Sequence, residues 1–399
     1  MPTLYAGGRL FDGETLLPEG QALLVEGDRI ARIAPAGEFE GFAGERVETA
    51  GGTLLPGLID CHVHLIYTGA ADPRAVSEKM GPGQIVTTAL ANAQTSLAGG
   101  ITALRDCGGK DYLEFAVRDA CNAGTFPGPT VRCAGRMICM TGGHGNYIGR
   151  VADGVDEVVK AVREQVHAGS DLVKIMATGG VMTPGVNPQD AHYSPEEMAA
   201  GIAEGHRFHR PCASHAQGRD GIMNAVLGGI DSIEHGIFMD EECCREMIAR
   251  GTYLVPTLSA IRNILANAAA GVPDYVVAKA KMVEASHARA FRMFYEAGGR
   301  IAMGTDAGTP FNRHGANAME LAFMAELGMT PADALKSATA VAADLNRLDA
   351  QGRLSEGRLA DLLLVDGDPT EDIAMAADKA NHRLVVKAGR VAKRRSNTD

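Results

Sequence analysis

The sequence predicts an α/β fold, in which a (β/α)8 TIM-like barrel carries a small β-sandwich domain built from both chain ends. Eight short apolar runs alternate with helix-like stretches through the middle of the chain, which is typical of parallel β/α units. Both ends instead alternate apolar and polar residues, broken by Gly and Asp. With 46% apolar and 22% charged residues, the 399-residue chain has the composition of a globular protein, and bulk disorder is excluded.

The two β-rich ends are expected to pair into one discontinuous β-sandwich domain, residues 1–56 plus 356–399. Near the N-terminus, residues 22–25 and 29–33 flank a Glu-Gly-Asp turn, which is a hairpin signal. Near the C-terminus, residues 362–365 precede an Asp-Gly-Asp-Pro turn and residues 384–387 precede Ala-Gly-Arg. Because the same pattern flanks a different middle, we expect one domain split in sequence.

The middle of the chain, residues 57–355, is predicted to form the barrel. Helix-like patterns cover Pro195–Phe208 and Asp274–Ala297, and Ser194 begins a capping-box sequence with Pro at the first helical position. Thr330 begins a looser version of the same signal. The predicted strands are Leu58–Leu65, Ile101–Arg105, Thr130–Ala134, Leu172–Met176, Pro211–His215, Ser232–His235, Tyr253–Pro256 and Ile301–Thr305. Eight such units suggest a closed barrel.

Charge and cysteine content narrow the expected partners and location. Lys plus Arg is 38 and Asp plus Glu is 49, so the net charge of −11 argues against nucleic acid or an anionic membrane as the main partner. No apolar run is long enough to span a bilayer, and no signal peptide is recognisable. The eight cysteines form no Cys-x-x-Cys pair, which favours reduced structural thiols and a cytoplasmic location.

Histidines and one aspartate at predicted strand ends indicate a metal site. His62 and His64 lie on one face of the first strand, about 7 Å apart along it, where two imidazoles are able to chelate one ion. His215, His235 and Asp306 each end or follow another apolar run. Because barrel active sites are assembled from the carboxyl ends of the strands, these side chains are expected to form a nitrogen and oxygen ligand set for zinc or a similar metal.

Lys174 lies inside an apolar strand, where a charged side chain is costly unless it is neutral, paired or modified. A surface edge strand or a simple ion pair would also explain it. In the context of a metal site, a carbamate formed from carbon dioxide would turn this lysine into a carboxylate-like ligand that bridges two metals.

These motifs resemble the amidohydrolase superfamily, and more narrowly its imidazolonepropionase-related, prolidase-like branch of binuclear dipeptidase- or carboxypeptidase-like enzymes. The resemblance spans nearly the whole chain. It rests on residues 54–64, 173–175, 214–216, 233–236, 304–306 and 357–362.

The resemblance implies two divalent metal ions, most simply zinc, and a role for each ligand. His62, His64 and Asp306 would bind the more buried ion, and His215 and His235 the more exposed one. A carbamylated Lys174 and a hydroxide would bridge them. Asp306 would act as general base and then as general acid.

Two further residues match this branch. His144, in a Gly-Gly-His-Gly loop after the third strand, would contact the substrate near its carboxylate, although a loop histidine without a task is the alternative. Tyr193, just before the Ser194 cap, would hydrogen-bond the substrate carbonyl as it becomes an oxyanion, although packing on the helix start would also explain it.

The resemblance also narrows the reaction. Deaminase members carry Glu where this chain has Gly218, and Lys174 is unlike the single-metal imidazolonepropionase. The implied reaction is hydrolysis of an amide bond in a dipeptide or N-acyl amino acid with a free C-terminal carboxylate. Hydrolysis of a lactone, carbamate or xenobiotic amide or ester stays open, as does a catalytically silent scaffold. A small molecule or short peptide is the expected partner, and a homo-oligomer stays open.

The other histidines are expected to be solvated or locally bonded, and most are placed on helix or loop surfaces: His167, His192, His206, His209, His287, His314 and His382. Glu234, beside His235, is expected to make a structural hydrogen bond.

Overall fold

The computed structural model describes residues 1–395, which form an α/β protein. The strands are β1 Thr3–Ala6, β2 Arg9–Leu10, β3 Gln21–Glu26, β4 Arg29–Pro35, β5 Glu45–Glu48, β6 Gly52–Pro56, β7 Leu58–Val63, β8 Ile101–Asp106, β9 Thr130–Cys133, β10 Ile138–Cys139, β11 Arg150–Val151, β12 Val173–Met176, β13 Cys212–Ala216, β14 Ser232–His235, β15 Tyr253–Val255, β16 Leu362–Asp366, β17 His382–Lys387 and β18 Arg390–Arg394. The α-helices are α1 Pro73–Glu78, α2 Pro82–Ala98, α3 Leu113–Asn122, α4 Gly154–Ala168, α5 Pro195–Arg207, α6 Arg219–Leu227, α7 Glu241–Arg250, α8 Leu258–Ala266, α9 Asp274–Glu296, α10 Met319–Glu326, α11 Pro331–Ser337, α12 Ala340–Leu345 and α13 Ala374–Ala377, with short 3-10 turns at Ala36–Phe39 and Lys379–Asn381.

The two chain ends meet in one β sheet. Strands β18, β17 and β16 continue into β6 and β2, so C-terminal and N-terminal strands are hydrogen-bonded neighbours. A second sheet, in the order β4-β3-β1-β5, is N-terminal throughout and contains the predicted hairpin. Side chains from both sheets share one hydrophobic cluster, including Tyr5, Leu23, Leu54 and Leu362. The expected pairing of the ends is therefore present, while residues 396–399 of the expected domain lie outside the described residues.

Parallel strands and intervening helices fill the middle of the chain. One sheet has the order β7-β8-β9 and the other β11-β10-β12-β13-β14-β15, and every pair within them is parallel. Seven of the predicted strands correspond to β7, β8, β9, β12, β13, β14 and β15, with ends that coincide or differ by at most two residues. Helices connect most of them, as the alternating pattern predicts.

The eighth predicted strand, residues 301–305, is not a regular strand. It forms isolated parallel bridges, Leu254 with Ile301 on one side and Val63 with Ala307 on the other. The amide of Cys61 donates to the carbonyl of Met303 at 2.9 Å. This segment therefore lies between β15 and β7, which brings residue 306 beside the end of β7.

Gly304 permits this close approach. A Cβ atom at this position would lie 3.0 Å from the backbone nitrogen of His62. A larger residue would push the segment away from β7, and with it the following Asp306.

Both predicted helix starts are capped. The Ser194 hydroxyl accepts from the amide of Glu197 at 3.3 Å, and the Glu197 carboxylate accepts from the amide of Ser194 at 2.8 Å, which completes a capping box at α5. At α11, the Thr330 hydroxyl accepts from the amide of Asp333 at 3.2 Å.

The cysteines are free thiols in the interior, as expected: Cys61, Cys107, Cys121, Cys133, Cys139, Cys212, Cys243 and Cys244. Within residues 1–395, no helix combines the length and apolar character needed to cross a bilayer.

Candidate active site

One cavity of about 740 Å³ lies at the carboxyl ends of the parallel strands. The side chains predicted to bind metal all line it: His62, His64, Lys174, His215, His235 and Asp306. Residues that are more than 240 positions apart in the chain thus face one space. The structure therefore brings together the complete predicted ligand set.

The imidazoles and the carboxylate are close enough to share ions. Ring centroids lie 5.4 Å apart for His62 and His64, 5.2 Å for His62 and His235, and 4.5 Å for His215 and His235. Asp306 Oδ1 lies 3.6 Å from His62 Nε2 and 3.4 Å from His64 Nε2. Ligand atoms of His62, His235 and Asp306 all lie within 4.8 Å of one another.

Hydrogen bonds orient two of these histidines on the inner side of the cavity. His62 Nδ1 lies 2.7 Å from Glu234 Oε2, and His64 Nδ1 lies 2.8 Å from the carbonyl oxygen of Gly108. Because neither oxygen has a proton to donate, each Nδ1 is the donor and each Nε2 is free to face the cavity. This is the arrangement in which a histidine typically binds a metal.

The remaining two histidines are held in the same way. His235 Nδ1 lies 2.6 Å from the hydroxyl of Thr257, which itself donates to the carbonyl oxygen of Pro256 at 2.7 Å, so the imidazole is the donor. His215 uses its other nitrogen, because Nε2 donates to the carbonyl oxygen of Gly179 at 3.0 Å. His215 therefore offers Nδ1 to the cavity, and His235 offers Nε2.

Burial keeps these imidazoles neutral. It lowers the pKa of His64 to about 4, and the pKa values of His62, His215 and His235 lie well below 6.5 for the same reason. Neighbouring positive charge, including that of Lys174, lowers all four pKa values further. At neutral pH the lone pairs are therefore available to a cation.

Asp306 is the acid of the site, and its side chain is 13% exposed. Burial raises its pKa to about 8, while the charge of Lys174 opposes the shift. Its Oδ1 is buried without a hydrogen-bond partner in the described structure. An acceptor of this kind is costly to bury unless a cation or a proton satisfies it.

Lys174 is buried and lines the same cavity as the other predicted ligands. Its charge lowers the pKa values of His62, His64, His215, His235 and Asp306. Within residues 1–395 it forms no salt bridge with a carboxylate, and it is 1% exposed. The surface edge strand and the simple ion pair are thus both excluded as explanations.

A buried ion pair between Glu234 and Arg105 holds His62 in place. Glu234 Oε1 accepts from Arg105 Nη2 at 2.7 Å, while its Oε2 holds His62. Glu234 therefore makes the structural hydrogen bond that we expected. The sequence analysis missed the pairing of Arg105 with Glu234. An arginine at the end of an apolar strand could have indicated it, because it is as unusual there as Lys174 is in its strand.

Asp60 is a second supporting residue that the sequence analysis did not single out. Its carboxylate accepts from the amide of His62 at 3.0 Å and from the hydroxyl of Thr305 at 2.6 Å. It also accepts from Asn317 Nδ2 at 2.7 Å. Asp60 thus fixes the spacing between the β7 end and the segment that carries Asp306.

His144 also lines the cavity. Its ring centroid lies 4.4 Å from that of His215, and its Nδ1 lies 2.8 Å from the Thr183 hydroxyl. Gly180 leaves room for this ring, since a Cβ there would lie 2.5 Å from His144 Nε2. His144 is therefore placed where a substrate would contact it.

Tyr193 is not among the side chains that line the cavity, so the structure does not bring it together with the predicted metal ligands. Its side chain belongs to the main hydrophobic core, and its hydroxyl donates to the carbonyl oxygen of Ala152 at 2.8 Å. Packing beside the α5 start, the alternative explanation, describes this position. The oxyanion role of Tyr193 stays a prediction.

The placement of the other histidines was partly wrong. Four of them are buried: His192, His287, His314 and His382. His287 lines the cavity and donates from Nε2 to the carbonyl oxygen of Pro256 at 2.8 Å. His167, His206 and His209 are exposed, as expected.

Comparison with known proteins identifies the family. The model of the Amidohydrolase family matches residues 53–392. The chain belongs to the Amidohydrolase family. Within this family it is 34% identical to the ochratoxinase of Aspergillus niger over 379 residues, covering 85% of this chain and 75% of that protein.

Solved structures place this amidohydrolase in the prolidase-like branch. A Xaa-Pro dipeptidase with bound methionine superposes with a TM-score of 0.90 at 33% identity, covering 98% of this chain and 99% of that one. A prolidase complexed with N-methylphosphonate-L-proline gives a TM-score of 0.89 at 30% identity, covering 99% of this chain and 100% of that one. The chain is thus a hydrolase of the class that acts on C–N bonds.

Proposed function

We propose that this amidohydrolase is a metal-dependent hydrolase of dipeptides or N-acyl amino acids with a free C-terminal carboxylate. One observation carries the proposal: neutral imidazoles, a buried lysine and an unpartnered Asp306 oxygen converge on one cavity. Hydrogen bonds among these side chains give no structural reason for them to converge, whereas divalent cations would provide one.

The donor set fits two divalent ions, most simply zinc. We propose that His62, His64 and Asp306 hold one ion and that His215 and His235 hold the other. Lys174, as a carbamate formed when its neutral amine adds to carbon dioxide and releases a proton, would contribute an oxygen to each. When bound, the ions supply Lewis acidity and lower the pKa of bound water.

The residues of the chain have separate tasks in this proposal. Asp306 would accept a proton from the attacking water and pass it to the leaving amine. His144, oriented by Thr183, contacts the substrate. The hydrogen bonds that His62 and His64 donate to Glu234 and Gly108 would keep these rings from turning during the reaction.

The cavity walls favour an apolar substrate side chain. They include Met137, Met176, Val181, Ile261 and Ile264. The solved relatives that hold methionine or a proline phosphonate support a substrate of dipeptide size. The polar groups beyond the metal ligands include His144 and Gln217, whose buried Oε1 has no hydrogen-bond partner among residues 1–395.

One observation favours a second candidate, hydrolysis of a neutral amide, carbamate, lactone or xenobiotic amide or ester. Among the described residues, no arginine lines the cavity, so a substrate carboxylate would meet no guanidinium there. The similarity to an ochratoxinase is compatible with this candidate.

Paired substrates distinguish the two candidates. We would assay the zinc-loaded protein with dipeptides and N-acyl amino acids, and with the same compounds amidated at the C-terminus. Loss of nearly all turnover on amidation would support the first candidate, and equal turnover would support the second. Bound zinc with no turnover on either set would leave the scaffold alternative and contradict the proposal.

We further propose that residues 57–355 close into an eight-stranded barrel, with residues 301–305 completing the ring. The terminal sheets, from the described parts of residues 1–56 and 356–395, would pack as a β-sandwich. The shared cluster of Tyr5, Leu54 and Leu362 supports this packing. A cytoplasmic location and a homo-oligomer remain predictions, as does the absence of nucleic-acid and membrane partners.

A further inference from the structure

A second cavity, of about 520 Å³, lies at the opposite ends of the parallel strands. Its walls include Arg132 from β9, Pro211 just before β13, and Arg347 after α12. Pro211 precedes the first residue of its strand, whereas His215 lies near the end of the same strand and lines the candidate active site. The two cavities are therefore separate.

Arginines dominate this second cavity, and two of them lack a compensating carboxylate. Arg105 is paired with Glu234, and Arg132 is paired with Asp171. Within residues 1–395, neither Arg210 nor Arg347 forms a salt bridge with a carboxylate. Among the side chains that line this cavity, positive charge therefore exceeds negative charge.

The single carboxylate on the cavity wall is already engaged. Asp171 bonds Arg118 at 3.2 Å and Arg132 at 3.2 Å, and it accepts from the amide of Cys133 at 2.9 Å. It has little capacity left for the guanidinium groups of Arg210 and Arg347.

Arg210 also has an unsatisfied donor. Its Nε is buried and has no hydrogen-bond partner in the described structure. Arg347 uses one nitrogen, Nη1, to donate to the carbonyl oxygen of His209 at 3.1 Å. Guanidinium donors that remain in such a cavity match the oxygens of a small anion, which they bind through charge-assisted hydrogen bonds.

The backbone around these residues is held in an uncommon conformation. His209 has φ of 57° and Arg347 has φ of 53°, and the two are joined by the hydrogen bond between them. Residues other than Gly adopt positive φ at a cost, which the surrounding structure must offset. The hydrogen bond between these two residues connects the α5–β13 turn to the segment after α12 at the cavity wall.

We propose that this cavity is a binding site for a small inorganic oxyanion of the sulfate or phosphate type. Arg210 and Arg347 are the principal ligands, and Arg132 contributes positive charge at the wall. None of the three lines the candidate active site, so the proposal does not depend on the proposed hydrolase function.

Isothermal titration of the full-length, metal-loaded protein with sodium sulfate at constant ionic strength tests the site. Four proteins are compared: wild type, Arg210→Gln, Arg347→Gln and the control Arg292→Gln, which removes an exposed arginine on α9. We expect saturable binding of one equivalent by wild type and control. Each cavity variant should lose roughly tenfold in affinity, because one charge-assisted contact is removed.

Two outcomes would overturn the proposal. One is the absence of saturable sulfate binding to the wild-type protein. The other is equal sulfate binding by all four proteins, which would mean that sulfate binds at another site, such as the metal centre. Arg347 is exposed, so Arg347→Gln keeps the test valid even if Arg210→Gln fails to fold. Circular dichroism and the Tm without sulfate confirm folding.

Discussion

At the scale of single residues, burial prepares the site for cations. It lowers the pKa of His64 to about 4, which leaves the imidazole unprotonated at neutral pH. It also raises the pKa of Asp306 to about 8, so the acid favours its protonated form until positive charge is nearby. The same low-polarity environment thus leaves the imidazoles ready to bind a cation, whereas the carboxylate needs a nearby cation to stay ionised.

Asp306→Asn should preserve the fold and reduce kcat by roughly 10²–10⁴-fold, the usual contribution of a general acid–base residue. Asparagine keeps the shape of the side chain but cannot carry the proton. The matched control is Asp28→Asn, at an exposed position in the turn between β3 and β4. Steady-state kinetics on the best substrate gives the result, and near-normal turnover would remove Asp306 as the proton carrier.

Lys174→Ala should lose most of the bound metal and the activity with it. The side chain lines the same cavity as the other ligands, and without it the carbamate that would contribute an oxygen to each ion cannot form. Metal content per protein, measured by mass spectrometry of the dialysed sample, tests this directly. Lys160→Ala, which changes an exposed lysine on α4, is the control. Two tightly bound ions in the Lys174 variant would refute the carbamate role.

At the scale of elements, helix α9 holds the loop that covers the site. Lys279 Nζ donates to the carbonyl oxygens of Gly180, Thr183 and Val186 at 3.1, 2.7 and 2.6 Å. Because Thr183 in turn contacts His144, this one ammonium group positions the loop and, through it, a residue of the cavity.

Lys279→Met should therefore loosen residues 179–187. Loss of three charge-assisted hydrogen bonds should raise the amide hydrogen exchange of this loop by roughly tenfold or more. It should also raise KM more than it lowers kcat. The control is Lys281→Met, at an exposed position on the same helix. Unchanged exchange in the loop would show that other contacts hold it.

A surface ion pair links α5 to the start of β14. His206 Nε2 lies 2.7 Å from Asp231 Oδ2, and this hydrogen bond raises the pKa of His206. A raised folded-state pKa contributes stability that is fully present below the unfolded pKa of about 6.5 and lost as pH rises through the folded pKa.

His206→Gln should thus destabilise the protein more at pH 6 than at pH 8.5. The side chain is 38% exposed, so the difference should be at most about 1 kcal/mol. Urea unfolding at both pH values measures it, with His167→Gln, at an exposed position on α4, as the control. An equal effect at both pH values would mean that the histidine acts through packing alone.

At the scale of the whole molecule, local sequence patterns predicted the strands better than they predicted the directions of side chains. Apolar runs predict β7, β8 and β12 to β15 because buried parallel strands need continuous apolar sequence. Residues 301–305 also form an apolar run, but they do not pair as a regular strand. The sequence places Tyr193 on a loop near the site without showing which way its ring turns, and the structure packs this ring in the hydrophobic core. Arg105 and Asp60 support metal-ligand residues through contacts between different segments of the chain. No local sequence pattern reveals such contacts.

Metal removal should destabilise the whole chain, because the ligands come from β7, β12, β13, β14 and the segment after residue 301. An ion at 100 to 1,000 times its Kd stabilises a fold by roughly 3–4 kcal/mol. A chelator should therefore lower the Tm by several degrees, as scanning calorimetry would show. His64→Asn, which removes one ligand, should respond much less to the chelator, since it begins with weaker binding. If wild type and His64→Asn lost the same number of degrees, the chelator would be acting elsewhere, and the shared cavity would not be the metal centre.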